Sequence, residues 1–271
     1  MSSHPSFDLI STTRYEPCLR DCSWNTAANG GSPSPYMLLR YHYERLLDAL
    51  KIHDWPMPQE FSLSRLEEEC NAGVTKHSSS NSPQQSFRVR ILLSYAGALS
   101  VTASPTSPIP LSSHDPASLS LWLPSAATDP PVSAWELLVI HLDILPTPSS
   151  NFTRTKTTHR SHYTSARGRF NIPPPPTSSV DDVLLFNESG GLTETSIRNV
   201  AFARRSPPCW VTPHVSTGCL PGVMRRLLLE QGRIVEAVEG ELTRDGVVDG
   251  EYVLTFNGFE GCRVGRIKIG Y

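Results

Sequence analysis

Residues 180–204, VDDVLLFNESGGLTETSIRNVAFAR, set two apolar runs on either side of Glu188-Ser-Gly190-Gly191. Runs of this length about a Gly-Gly turn read as a β-hairpin. They are too short for a helical stripe, so this half of the chain must build a sheet. Two further strands are expected at 251–256 and 263–269, and a helix at 221–231. That helix has Pro221 near its start and Gly232 after its end, which is the usual asymmetry of helix termini. Upstream, residues 156–170 read as helical, stopped by Pro173 to Pro176.

The first half mixes the same elements. SFDLISTTRY (6–15) is rich in β-branched and aromatic types and reads as a strand. A polar, turn-rich stretch from Asp21 to Pro35 contains Asn29-Gly30-Gly31. Leu39, Tyr43, Leu46, Leu47 and Leu50 then recur at helical spacing. A second helix fits 62–72 with Ser62 as N-cap. Residues 77–86 are a polar linker, 87–103 a hairpin around Ala96-Gly97, and 104–133 a Pro/Ser/Ala-rich loop inserted in this lobe. A strand from Trp135 to Ile144 follows. Pro146-Thr-Pro148-Ser-Ser150 reads as a linker, which gives an α+β chain in two lobes, 1–145 and 151–271.

Composition narrows the class. With 24 basic and 26 acidic side chains the formal net charge is -2. There is no basic stripe for nucleic acid or an anionic membrane. The longest apolar runs are far too short to span a bilayer. MSSHPSFDLI has neither a basic n-region nor an apolar h-region. A soluble, cytoplasmic protein acting on a small molecule is the expectation. The six cysteines, at 18, 22, 70, 209, 219 and 262, have neither disulfide-framework nor zinc spacing, so no metal is expected.

Four patterns carry chemistry together, although each alone has an ordinary reading. Lys156 is the only lysine between Lys76 and Lys268, with Arg154, Arg160, Arg167 and Arg169 near it in sequence. Positive neighbours favour the neutral amine, the form that attacks an aldehyde; the ordinary reading is a solvated lysine on a basic helix. Glu194 stands among small and hydroxyl-bearing residues after the hairpin turn, as a carboxylate facing a basic ring nitrogen would, or as a plain strand carboxylate. STGCLPGVMRR (216–226) runs a Gly-rich turn into a helix start, whose unpaired amides suit phosphate. Arg45, in His42-Tyr-Glu-Arg45-Leu, can offer a bidentate fork to phosphate, or serve as a surface ion-pair partner.

In this order the H-x-x-R-L helix, the lysine segment, the T-E-x-S-x-x-N strand, the L-P-G-x-x-R turn and the final T-x-N strand resemble the class-IV aminotransferase family. The resemblance implies a two-lobed fold-type IV enzyme, like D-amino-acid aminotransferase, with pyridoxal 5'-phosphate in the cleft between lobes. It implies Lys156 as Schiff-base lysine and proton shuttle, and Glu194 on the pyridine nitrogen. Arg45 and the amides of Val223 and Met224 would take the phosphate, with Asn257 as a weaker phosphate ligand. Ser196 and Asn199 would line or support the cofactor pocket, and Arg14 could face a substrate carboxylate. Within the family, F-T-x-x-K-T-T-x-R-x-x-Y-x-x-A-R (152–167) is most similar to fungal aminodeoxychorismate lyases. They form 4-aminobenzoate and pyruvate from 4-amino-4-deoxychorismate for folate synthesis. Transaminases of the family often carry tyrosine five residues after the lysine; Ser161 stands there, which argues against that branch. A branched-chain or D-amino-acid aminotransferase and an inactive structural relative are the alternatives. The T-T-R-Y strand lies at the start of the sequence without the D-R-G-like loop that many relatives use near a dimer interface. The expectation is therefore left between homodimer and monomer.

Overall fold

The computed structural model describes residues 5–77, 85–108, 115–125, 129–133, 136–175, 177 and 179–270. Residues 78–84 of the polar linker, 109–114 and 126–128 of the Pro/Ser-rich loop, and Trp135 lie outside them. Contacts divide the chain into two compact units, Met1–Pro116 with Thr155–His159, and Ala117–Arg154 with Arg160–Tyr271.

The first unit is a three-stranded antiparallel sheet with helices. Strands β1 (Leu9–Tyr15), β2 (Ser86–Leu93) and β3 (Leu99–Thr106) pair in that order. Phe87, Val89, Ile91 and Leu93 alternate onto one face of β2 and are wholly buried, as a period of two requires. That face packs with Leu39, Leu46 and Leu50 of α2 (Leu39–Ile52) and with Leu66, Cys70 and Val74 of α3 (Leu63–Thr75). Ser62 caps α3 by accepting from the Arg65 amide at 3.1 Å. The hairpin turns at Gly97, φ 82°, where a Cβ would lie 2.9 Å from Pro58. β3 also takes in residues 104–106, the start of the Pro/Ser-rich stretch.

The turn-rich stretch 21–35 contains a short helix, α1 (Ser23–Ala28), that its turn residues hide. Its fixed point is Asn25, completely buried. The Asn25 amide donates to the Ser34 and Tyr36 carbonyls at 2.9 and 3.2 Å, and its oxygen accepts from the Leu38 amide at 2.9 Å. One side chain thus satisfies several buried backbone groups, including that of Leu38, whose φ of 56° is left-handed.

The segment around Lys156 is extended, not helical. The Ile10 amide donates to the Lys156 carbonyl at 2.9 Å, Thr157 bridges Leu9, and Thr158 exchanges bonds with Asp8. Thr155, Thr157 and Thr158 are β-branched and suit this pairing. The helix of this region, α5 (Ser161–Arg169), begins five residues later.

The second unit is built on an eight-stranded sheet. Its strands are β4 (Leu138–Leu142), β5 (Asp181–Phe186), β6 (Leu192–Thr195), β7 (Asn199–Arg205), β8 (Pro208–Thr212), β9 (Ile234–Glu236), β10 (Tyr252–Asn257) and β11 (Gly261–Lys268). They lie in the order β6-β5-β4-β11-β10-β7-β8-β9. β4 runs parallel to both β11 and β5. It therefore belongs with the later residues and not with a lobe ending at 145. β8 and β9 lack the clear apolar alternation that signals a strand. β5 is apolar without alternation because both its faces are covered. Leu184 and Phe186 join one cluster with Ile140, Val200 and Val253. Val183 and Leu185 meet Tyr163 and Ala166 of α5 in another. Two helices complete the unit, α4 (Asn151–Arg154) and α6 (Val223–Glu230), the latter packed on β10 and β9.

At the turn between β6 and β7 lies Asp182, with no solvent exposure. It accepts from Thr195 Oγ1 at 2.8 Å, Ser196 Oγ at 2.5 Å and the Val183 amide at 2.9 Å. Arg167 and Arg198, both nearly buried, pair with it at 3.4 and 3.3 Å. Removing Asp182 leaves the Arg167 guanidinium buried without its carboxylate, while Arg198 keeps Glu260 at 2.5 Å. Asp182→Ala is therefore expected to lower stability by about 3–5 kcal/mol, measured by urea unfolding.

Candidate functional site

In the second unit a cleft is lined by Thr147, Ser149, Thr153, Tyr163, Leu185, Thr193, Glu194, Thr217 and Gly218. Glu194 is its buried carboxylate. The Tyr163 hydroxyl donates to Glu194 Oε1 at 2.5 Å, and Asn199 Nδ2 lies 3.5 Å from Oε2. Asn199 also donates to the Leu220 carbonyl at 2.8 Å. This ties the carboxylate to the loop that enters α6. The fit there is close: a Cβ on Gly222 would lie 2.0 Å from Asn199 Oδ1, and one on Gly218 2.1 Å from Ser149 Oγ. Gly222 is the N-cap of α6 and supplies no side-chain cap. Val223 and Met224, both buried, form the first turn after it. Amides in that position carry the positive end of the helix.

The loop lining the cleft is held from behind. Arg225 donates to the Pro213 carbonyl at 2.9 Å and to Glu236 at 2.6 Å, and Glu236 accepts from the Val215 amide at 2.8 Å. The Glu236 carboxyl is held below its usual range despite its burial, because Arg225 and the Val215 amide bond its charged form.

The structure thus brings together Glu194, Asn199, Val223 and Met224. Ser196 stands behind them: its hydroxyl donates to Asp182 and accepts from Arg167 at 2.8 Å, and it does not line the cleft. Asn257 forms a turn, its oxygen accepting from the Phe259 and Glu260 amides and its amide donating to Glu260. Those bonds occupy the side chain that was expected at a phosphate. Arg14, Arg45 and Lys156 belong to the first unit. Arg14 is buried and pairs with Glu16 at 3.0 Å while donating to the Ser107 carbonyl at 2.8 Å. Its Nη1 is therefore paired within the unit. Arg45 donates to Ser11 Oγ at 2.7 Å, and Ser11 is 2.7 Å from His42 Nδ1. Lys156 is half-buried. Its neighbour Thr155 is bonded to His53 Nε2 at 2.7 Å, and burial holds that imidazole below its ordinary pKa.

Two of the arginines near Lys156 in sequence are matched by carboxylates. Arg167 pairs with Asp182, Arg169 with Asp143, and Arg160 donates to the Ser196 carbonyl. A guanidinium matched by a carboxylate exerts little net field. Conversely, sequence reasoning missed Tyr163, Thr147 and Ser149. The Pro-Thr-Pro-Ser-Ser stretch looks like a linker, and nothing local shows that Thr147 is buried in the wall of the cleft.

The mixed α+β architecture is that of the fold-type IV class over nearly the whole chain. A branched-chain amino acid aminotransferase from Escherichia coli superposes with TM-score 0.58 and 17% identity, covering 98% of this chain and 77% of that one. A hypothetical aminotransferase from Mycobacterium tuberculosis, in its PLP-bound form, gives 0.59 and 15%, covering 97% and 81%. The chain belongs to the class-IV aminotransferase family, whose model, "Amino-transferase class IV", matches residues 26–264. Aminodeoxychorismate lyase from Saccharomyces cerevisiae is 35% identical over 206 residues, 69% of this chain. The chain spans about half the length of that relative, 53%. Among the described residues no group of His, Cys, Asp and Glu could hold a metal ion, and no helix is long and apolar enough to cross a membrane.

Tyr163 gives the cleft a pH signature. Burial first, and Glu194 second, push its phenol well above the ordinary tyrosine range. The unfolded phenol ionises near pH 10. Its contribution to stability is therefore complete below about pH 10 and lost as the pH rises further. Tyr36, also pushed up by burial, acts with the same sign. Denaturant unfolding at about pH 9 and about pH 11 should show wild-type stability falling with pH and Tyr163→Phe falling less.

Proposed function

We propose that this chain is a pyridoxal-phosphate-dependent aminodeoxychorismate lyase, converting 4-amino-4-deoxychorismate to 4-aminobenzoate and pyruvate for folate synthesis. The observation that carries the reading is the 35% identity to the yeast lyase over 206 residues, in a chain that keeps Lys156 and a buried Glu194. Ser161 at the position where many family transaminases carry tyrosine supports the lyase over the transaminase branch.

The cleft fits the cofactor. Its buried carboxylate suits a protonated ring nitrogen, and Gly222 lets the start of α6 lie close to Asn199, the carboxylate's neighbour. The uncapped start of α6 suits a phosphate. Glu194 would hold the ring nitrogen, the Val223 and Met224 amides the phosphate, and Asn199 the loop between them. Bound there, pyridoxal phosphate supplies an electron sink for the pair released at the substrate carbon bearing nitrogen. Lys156 Nζ takes the proton from that carbon. The C–O bond to the enolpyruvyl group breaks, and a proton returned to its methylene carbon gives pyruvate. Aromatisation of the ring drives the elimination, with Lys156 acting as base and then acid.

Incubation with enzymatically prepared aminodeoxychorismate should release fluorescent 4-aminobenzoate and pyruvate with no amino-acid co-substrate. Lys156→Ala should lower turnover by about 10²–10⁴-fold or more. Amino-group transfer to a 2-oxo acid without aminobenzoate would move the chain to the aminotransferase branch. A protein that binds no pyridoxal phosphate would be a structural relative only.

A further inference from the structure

Tyr163 is not the tyrosine that the family pattern places five residues after the lysine, and its hydroxyl has a definite partner. It sits in the first turn of α5, buried. Its O–H points at Glu194 Oε1, 2.5 Å away, across the wall of the cleft. The ring is fixed independently of that bond. The Arg160 guanidinium lies 4.3 Å from its centroid and donates to the Ser196 carbonyl at 2.8 Å. One turn further along α5, Arg167 is locked to Asp182 and Ser196 Oγ. The far face packs against Val183 and Leu185. α5 and the turn after β6 are thus pinned together on both sides of the Tyr163–Glu194 bond.

We propose that Tyr163 is a positioning residue for Glu194, which by donating to one carboxylate oxygen aims the other at a ligand's ring nitrogen and keeps the carboxylate charged. This rests on the reading of the cleft as a pyridoxal phosphate site. Three physical points support it. A carboxylate buried to this degree needs hydrogen bonds to stay ionised. The Tyr163 hydroxyl donates to Glu194 at 2.5 Å and the Asn199 amide at the long distance of 3.5 Å, so the phenol is the stronger of these two donors. Moreover, the two donors go to different oxygens. Oε1 takes the short bond and Oε2 the long one, and a carboxylate oxygen, with two lone pairs, can accept a ring N–H beside an existing bond.

Tyr163→Phe keeps the ring and its packing and removes only the donor. The experiment measures the affinity of the apo full chain, wild type and variant, for pyridoxal phosphate and for its 1-deaza analogue, in which a C–H replaces the ring nitrogen. If Tyr163 acts through Glu194 on that nitrogen, the variant binds pyridoxal phosphate about tenfold more weakly and the deaza analogue with unchanged affinity. Equal losses for both ligands would make Tyr163 a packing residue and overturn the proposal. Unchanged affinity for both would overturn it as well. A wild type that binds pyridoxal phosphate in either of those cases leaves the cofactor reading standing. A wild type that binds neither ligand overturns both.

Discussion

The second unit turns on one buried carboxylate. Asp182 begins at the edge of β5 and gathers the hydroxyls of Thr195 and Ser196, the amide of Val183 and two guanidinium groups. These partners fix the tight reversal between β6 and β7. Glu194 leaves the sheet just before that reversal, and Asn199 just after it. The contact between them is therefore framed by Asp182, although it does not line the cleft. A buried ion group of this kind contributes little net stability compared with apolar packing. Its value lies in geometry, because few other arrangements satisfy all its partners.

Much of this was legible from residue order, for physical reasons. α2, α3 and the two hairpins follow from apolar spacing and from Ser62 and Gly97, all local signals. Glu194, Asn199 and the L-P-G turn into α6 could be picked out because short-range chemistry defines them. What was not legible depends on distant partners. The helix at Ser23–Ala28 needs Asn25 to bond backbone groups as far as Leu38. Thr147 and Ser149 look like linker because their neighbours in the cleft, Tyr163 and Glu194, come later in the chain.

The site residues divide along the same line. Ser196 and Asn257 match the family pattern in sequence, yet their side chains are committed to Asp182 and to a turn. Motif agreement identifies a place on the backbone; it does not say whether the side chain's hydrogen-bonding capacity is already used. Arg14 shows this most plainly: the residue type suits a carboxylate, and the structure supplies one from within, Glu16. The converse holds for Tyr163, off the expected position by two residues and yet a donor to the cleft's carboxylate at 2.5 Å.

The pairing of residues 155–159 with β1 carries a consequence for biosynthesis. Asp8 and Thr158 are 150 positions apart and hydrogen-bonded, so the first unit is a compact body whose last piece is translated long after the rest. On the ribosome the early sheet and helices can collapse, but they stay incomplete along β1 until the threonine-rich segment emerges. Contacts between residues so remote form slowly. Nascent chains of intermediate length thus carry an open strand edge, the kind of surface to which folding helpers bind and from which aggregates start. Lys156, the lysine of the proposed reaction, arrives on the segment that closes that edge.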